Sequence, residues 1–219
     1  VRRHRRFRCR RVIKAGLLIM FPVGSQKRAD EQSLREAVRS KVLKRHCEDR
    51  SAVVFDELGL RHGLAIIDIV VVTRIIHGYE LKSDLDSLVR LPAQMEIYNS
   101  VLDKVTLVVG YRHLSAARDL LPAWWGLIAM SCGPRGGWKV VVERRARLNH
   151  EVNLLSLVKL LWRDEALLFL ESLGAAAGVR SKPRDDIYRR IVEVAGPDVI
   201  RDRVCWQLKS RNWRQKKYP

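Results

Sequence analysis

Cysteine is scarce in this 219-residue chain and scattered where it occurs. Cys9, Cys47, Cys132 and Cys205 form no Cys-x-x-Cys pair, and no His-x-x-x-His pair accompanies them. That spacing argues against a zinc site and against a disulfide framework, so the four read as reduced thiols of a cytoplasmic protein. No apolar run is long enough to cross a bilayer. The stretch Ala15 to Phe21 follows an arginine-rich segment and resembles a short signal sequence. It is too short to span a membrane, Lys14 and Pro22 bracket it, and no small-x-small cleavage site follows, so neither export nor a membrane partner is expected. Internal repeats are absent, as is any Ser–His or Cys–His spacing that would mark a nucleophilic enzyme.

Acidic residues are nearly missing from both ends. Residues 1–14 carry eight Arg/Lys and no acid, and residues 201–219 carry seven against one. The two ends thus hold +14 of the formal +18 and leave only about +4 for the middle. Such concentration points to a polyanionic partner held through counterion release, and nucleic acid is the expected one. Phe7, Trp206, Trp213 and Tyr218 lie among these charges, as stacking on bases would need. The hydrophobic content of 47% is ample for a packed core.

Periodicity divides the chain into a basic, poorly ordered lead (1–28), an α/β domain (29–147), a helical C-terminal region (148–210) and a basic tail (211–219). A helix is predicted from Asp30 to His46, with Leu34, Val38, Val42 and Leu43 at helical spacing. Strands are predicted over 51–60, around Asp68, and through Glu80 and Lys82. Ser83 and Asp84 are helix N-cap types, and a helix that Pro92 kinks or restarts is expected to reach Leu102. A strand at 105–109, a helix at 114–121 and a strand pair at 125–130 and 138–143 follow. The order α-β-β-β-α-β-α-β-β predicts a mixed sheet with helices on its faces. Beyond it, one long helix is expected from Asn149 to Leu173, then two shorter ones near 185–194 and 198–209.

Within that frame the most informative stretch is 68–82. Asp68 interrupts the apolar run Ile66 to Val72, where a charge is costly to desolvate without a partner. Glu80 and Lys82 are two apart on a strand and share a face, while Leu81 points the other way. A three-residue loop at 73–75 would set Asp68 opposite Glu80; a two-residue turn at 73–74 would set it opposite Tyr79, on the wrong face. In the first register two carboxylates and an amine converge at a sheet edge, which is minimum equipment for a divalent metal and an activated water. The competing reading is a structural salt bridge.

Asp68 followed one strand later by Glu80-Leu81-Lys82, in α-β-β-β-α-β order, resembles the PD-(D/E)XK nuclease superfamily. Gln94 and Tyr98, four apart on the next helix, resemble the Q-x-x-x-Y motif of its RecB-like branch. Phe55-Asp-Glu-Leu-Gly, Gly78-Tyr-Glu-Leu-Lys-Ser-Asp and Thr106-Leu-Val-Val-Gly are also similar to a functionally uncharacterised family of small bacterial and phage proteins. Ile67 stands where the superfamily's proline would precede Asp68. The resemblance implies that Asp68 and Glu80 bind Mg²⁺ (or Mn²⁺), with the Leu81 carbonyl completing the protein ligands. It implies that Lys82 orients or deprotonates the attacking water, and that Gln94 and Tyr98 face the substrate. An extra acid from the first helix, Glu31 or Glu36, or Glu57 near the sheet, could join them. The function so implied is metal-dependent hydrolysis of phosphodiester bonds in DNA. The alternatives are a non-catalytic nucleic-acid-binding protein on a nuclease-like fold, and an RNA-cleaving nuclease of a mobile element or toxin system.

Overall fold

A computed structural model describes residues 30–135 and 137–211. The basic lead, the stretch 15–21, Cys9, Trp213 and Tyr218 lie outside those residues.

Six strands form one sheet in sequence order: β1 (Val53–Leu60), β2 (Ala65–Val72), β3 (Ile76–Lys82), β4 (Lys104–Gly110), β5 (Gly126–Cys132) and β6 (Trp138–Arg144). Strands β1 to β3 are an antiparallel meander, β3 to β5 run parallel, and β6 returns antiparallel. The parallel steps need crossovers, which α3 (Leu91–Val101) and α4 (Leu114–Leu120) supply. The α/β architecture with a mixed sheet and C-terminal helices is therefore as the sequence pattern predicts.

Each sheet face buries its own core. On one face α1 (Glu31–Ala37) lays Leu34 and Ala37 against Ile69, Val71, Tyr79, Leu81 and Val108. Asp30 caps this helix by accepting from the Ser33 N–H at 2.8 Å. The predicted single helix is interrupted after α1 by a π-helical turn, Val38–Val42, before α2 (Lys44–Glu48). The opposite core joins Ile67, Val70, Leu107 and Trp125 to α3 and to the C-terminal helices, so those helices share the sheet's core.

The expected helix from Asn149 to Leu173 is instead two: α5 (Leu154–Val158) and α6 (Arg163–Ser172). Polar contacts override the apolar period. Asn149 is spent donating to the Asn99 and Leu102 carbonyls at the end of α3, at 2.7 and 3.0 Å. Asn153 caps α5 through Ser156 N–H, and Glu165 reaches back 2.7 Å to the Trp162 N–H to start α6. Helices α7 (Arg184–Val194) and α8 (Pro197–Ser210) lie close to their predicted positions. Ser83 and Asp84 open no helix. Asp86 accepts from both the Ser83 N–H and hydroxyl, making a turn, and α3 begins only at Leu91. Among the described residues no helix is long and apolar enough to cross a membrane.

A local departure from strand alternation sets up the site. Phe55, Leu58 and Leu60 share one core with Ile67, Val70 and Val72. Strict alternation would send Phe55 and Leu58 to opposite faces, and Ile67 and Val70 likewise. Register is nonetheless constant, Phe55 facing Val70 and Leu58 facing Ile67. Both strands therefore turn over together, at the opposed positions Glu57 and Asp68. Glu57 has φ 57°, in the left-handed region that non-glycine residues seldom occupy.

Candidate active site

Strands β2 and β3 pair from Val72 with Ile76 to Ile69 with Tyr79, across a three-residue loop at 73–75. Carried one step further, this register sets Asp68 beside Glu80, as the longer loop requires. Because β2 turns over at Asp68, its carboxylate does not stand on one face with Glu80. It lies at the level of the sheet, where Oδ2 accepts from the Leu81 backbone N–H at 2.7 Å. Extended geometry turns the Leu81 carbonyl toward the same side as its N–H.

Glu80 points to the α3 face and is 1% exposed. Every oxygen of its carboxylate has a donor. Lys82 Nζ donates to Oε1 at 2.6 Å, and Gln94 Nε2 donates to the same oxygen at 3.2 Å. Tyr98 Oη lies 2.7 Å from Oε2 and 2.8 Å from the Ile66 carbonyl, so one phenolic proton faces two acceptors. Gln94 and Tyr98 meet here because they are one turn apart on α3, whose Leu91, Tyr98 and Val101 are buried. The second Gln94 amide proton reaches Tyr98 Oη at 3.1 Å. Gln94 Oε1 is buried without a partner.

The electrostatics follow from this burial. Desolvation pushes the Asp68 carboxyl up to about 7, and the Glu80 charge adds to the rise. The Leu81 N–H, Arg35 and Lys82 oppose it less effectively. Tyr98 is raised by burial and then by the adjacent Glu80. Asp68 thus feels the Glu80 charge even with Arg35 and Lys82 close by.

Sequence reasoning missed Arg35. Its Nη1 donates to the Asp68 carbonyl at 2.8 Å and its Nη2 lies 3.1 Å from Asp68 Oδ1. The same guanidinium pairs with Glu31 at 2.8 Å and with Asp56 at 3.5 Å. Burial works against its charge, but Glu31, Asp68 and Asp56 together hold it more firmly protonated than usual. The sequence offers Glu31 as a candidate extra acid, and nothing in its spacing singles out Arg35 one helical turn later. The first helix therefore offers the site an arginine, with Glu31 behind it. Glu36 is exposed and accepts from Gln32, away from Asp68. Glu57 opposes Asp68 in the ladder but is exposed.

The other candidates lie elsewhere. His77 is half-buried at the start of β3, between Thr106 (2.8 Å) and Tyr79 (3.2 Å), and desolvation lowers its pKa to about 3. His62 stacks on Tyr188, Trp125 is in the core, and Arg180 pairs with Glu171. Cys47, Cys132 and Cys205 are free thiols.

Among the described residues no group of three His, Cys, Asp or Glu side chains could hold a metal. The two carboxylates nonetheless suit a small hard cation, which takes few protein oxygens and keeps its waters. The unpartnered Gln94 Oε1 beside Glu80 is an acceptor for such a water.

None of the curated proteins matches the chain. A solved structure of a protein of unknown function from Silicibacter pomeroyi matches with 19% identity and a TM-score of 0.36, over 64% of this chain and 90% of that one. The family model described as bacteriophage P4 protein cII matches residues 25–218. Spanning nearly the whole length, that match makes the chain a member of the bacteriophage P4 protein cII family.

Proposed function

We propose that the chain is a metal-dependent nuclease of the PD-(D/E)XK type that hydrolyses phosphodiester bonds in DNA. One observation carries the reading: buried Glu80 holds Lys82 at 2.6 Å, with Asp68 beside it on the neighbouring strand. A purely structural ion pair has no need of a second, half-buried carboxylate beside it, whose repulsion costs stability. A functional site does need one, to gather positive charge.

Asp68 and Glu80 would hold Mg²⁺ or Mn²⁺, with the Leu81 carbonyl at the same edge. When bound, the cation supplies Lewis acidity toward the phosphate and toward water. Lys82, fixed by Glu80, presents its ammonium to the water or to the developing phosphorane charge. Gln94 and Tyr98 hold the Glu80 carboxylate in place, and Gln94 Oε1 is free to orient a water. The basic ends supply sequence-independent grip on the backbone.

The test is cleavage of labelled single- and double-stranded DNA with Mg²⁺ or Mn²⁺ against EDTA, comparing wild type with Asp68→Ala and Lys82→Ala. Circular dichroism confirms that each variant is folded, and a ribo-substrate separates DNA from RNA cleavage. Metal-dependent cutting lost in folded variants supports the proposal. A second reading, a non-catalytic nucleic-acid-binding protein, draws on the carboxylates themselves: all four oxygens already have protein donors. Binding of DNA without cutting by the wild type under every condition favours it.

A further inference from the structure

We infer that Arg35 is the resident counter-ion of the carboxylate site, and that a divalent cation binds by displacing it from Asp68; this rests on the metal-site reading above. The two Asp68 oxygens are unequal. Oδ2 is engaged by a backbone N–H that β3 fixes in position. Oδ1 is engaged by a side chain, Arg35 Nη2, at 3.1 Å. A cation approaching Oδ1 meets a full positive charge at contact distance, in a site where Asp68 has 20% side-chain exposure and Arg35 18%. Repulsion there is weakly screened.

The guanidinium also has somewhere to go. Glu31 Oε1 lies 2.8 Å away and one helical turn back, with 56% side-chain exposure. Asp56 Oδ1 is 3.5 Å away and already receives Arg39 at 2.7 Å. On release Arg35 keeps two carboxylates and moves toward solvent, while Asp68 exchanges one cation for another. The π-helical turn follows within the same helix, three residues after Arg35. Without metal, Arg35 limits the repulsion between Asp68 and Glu80. With metal, the same contact becomes a competitor. The structure thus contains its own gate on metal loading, set by the charge at position 35.

Mn²⁺ titration of the full chain without nucleic acid, by calorimetry and by electron paramagnetic resonance, tests this. Arg35→Gln should bind Mn²⁺ about tenfold or more tighter than wild type, Arg35→Lys should fall between, and Asp68→Asn should lose the site. A structural support role predicts the opposite sign, because losing support loosens the ligands. In the wild type, Mn²⁺ or Mg²⁺ should also shift the Arg35 side-chain ¹⁵N resonance and speed its hydrogen exchange, a readout that needs no variant to fold. Equal or weaker affinity in folded Arg35→Gln, or an Arg35 signal indifferent to bound metal, overturns the displacement while leaving the metal site standing. Absence of Mn²⁺ binding in both wild type and Arg35→Gln at millimolar concentration overturns both.

Discussion

Replacing Asp68 by Asn isolates the energetic cost built into this site. Burial and Glu80 raise the Asp68 carboxyl to about 7 in the folded chain, against 3.8 for an ordinary solvated aspartate. The folded state therefore binds a proton more tightly than the unfolded one. Stability from this group is complete below about pH 4 and falls as pH rises toward 7. That difference corresponds to about 4 kcal/mol by pH 8. Asn keeps an oxygen for the Leu81 N–H but carries no charge to desolvate. It gives up the ion pair with Arg35, which still has Glu31 and Asp56. Denaturant unfolding in EDTA, at constant ionic strength from pH 4.5 to 8.5, should show the variant gaining on wild type with pH. The gain should be at least about 2 kcal/mol across that range. Added Mg²⁺ should stabilise wild type at pH 8 and leave the variant unmoved. Parallel stability curves, or a variant that loses ground as pH rises, would refute the reasoning about Asp68.

Lys82→Met leaves Glu80 buried without its cation, so it should cost about 3 kcal/mol or more in denaturant unfolding, besides abolishing cleavage. Tyr98→Phe removes one phenolic donor shared between Glu80 and the Ile66 carbonyl; a loss of about 1–3 kcal/mol is expected by the same assay, and none would show the hydroxyl is dispensable. Gly110→Ala should destabilise the chain and disturb the turn after Lys82, because an added Cβ would collide with the Asp84 side chain and backbone; ¹⁵N shifts of residues 82–86 report it. Deleting residues 1–29 should flatten the slope of log K against log salt for DNA binding, leaving the metal affinity unchanged.

Much of this arrangement was legible before folding. Apolar runs bounded by glycine and polar residues marked the strands, whereas the sequence leaves a two- and a three-residue loop open between β2 and β3, and only the structure selects the longer one. Spacing of four placed Gln94 with Tyr98, and spacing of two placed Glu80 with Lys82. Where the pattern misled, local polar groups competed with periodicity. Asn153 and Glu165 cut one apolar stretch into α5 and α6, and Asp86 turned Ser83 away from helix.

What the sequence by itself determined is therefore the inventory and its order: two carboxylates and a lysine at a strand pair, a Gln/Tyr face on the next helix, and nearly all the excess charge at the ends. These rest on interactions between near neighbours, whose geometry is set by residue spacing. Only the tertiary structure decided which way Asp68 looks. The paired turnover at Glu57 and Asp68 cancels in the register, so no count of residues reveals it. Arg35 was equally hidden, since it lies 33 residues before Asp68. Its meeting with that carboxylate depends on how α1 packs across the sheet, where apolar burial, blind to charge, fixes the helix and the ion pair follows.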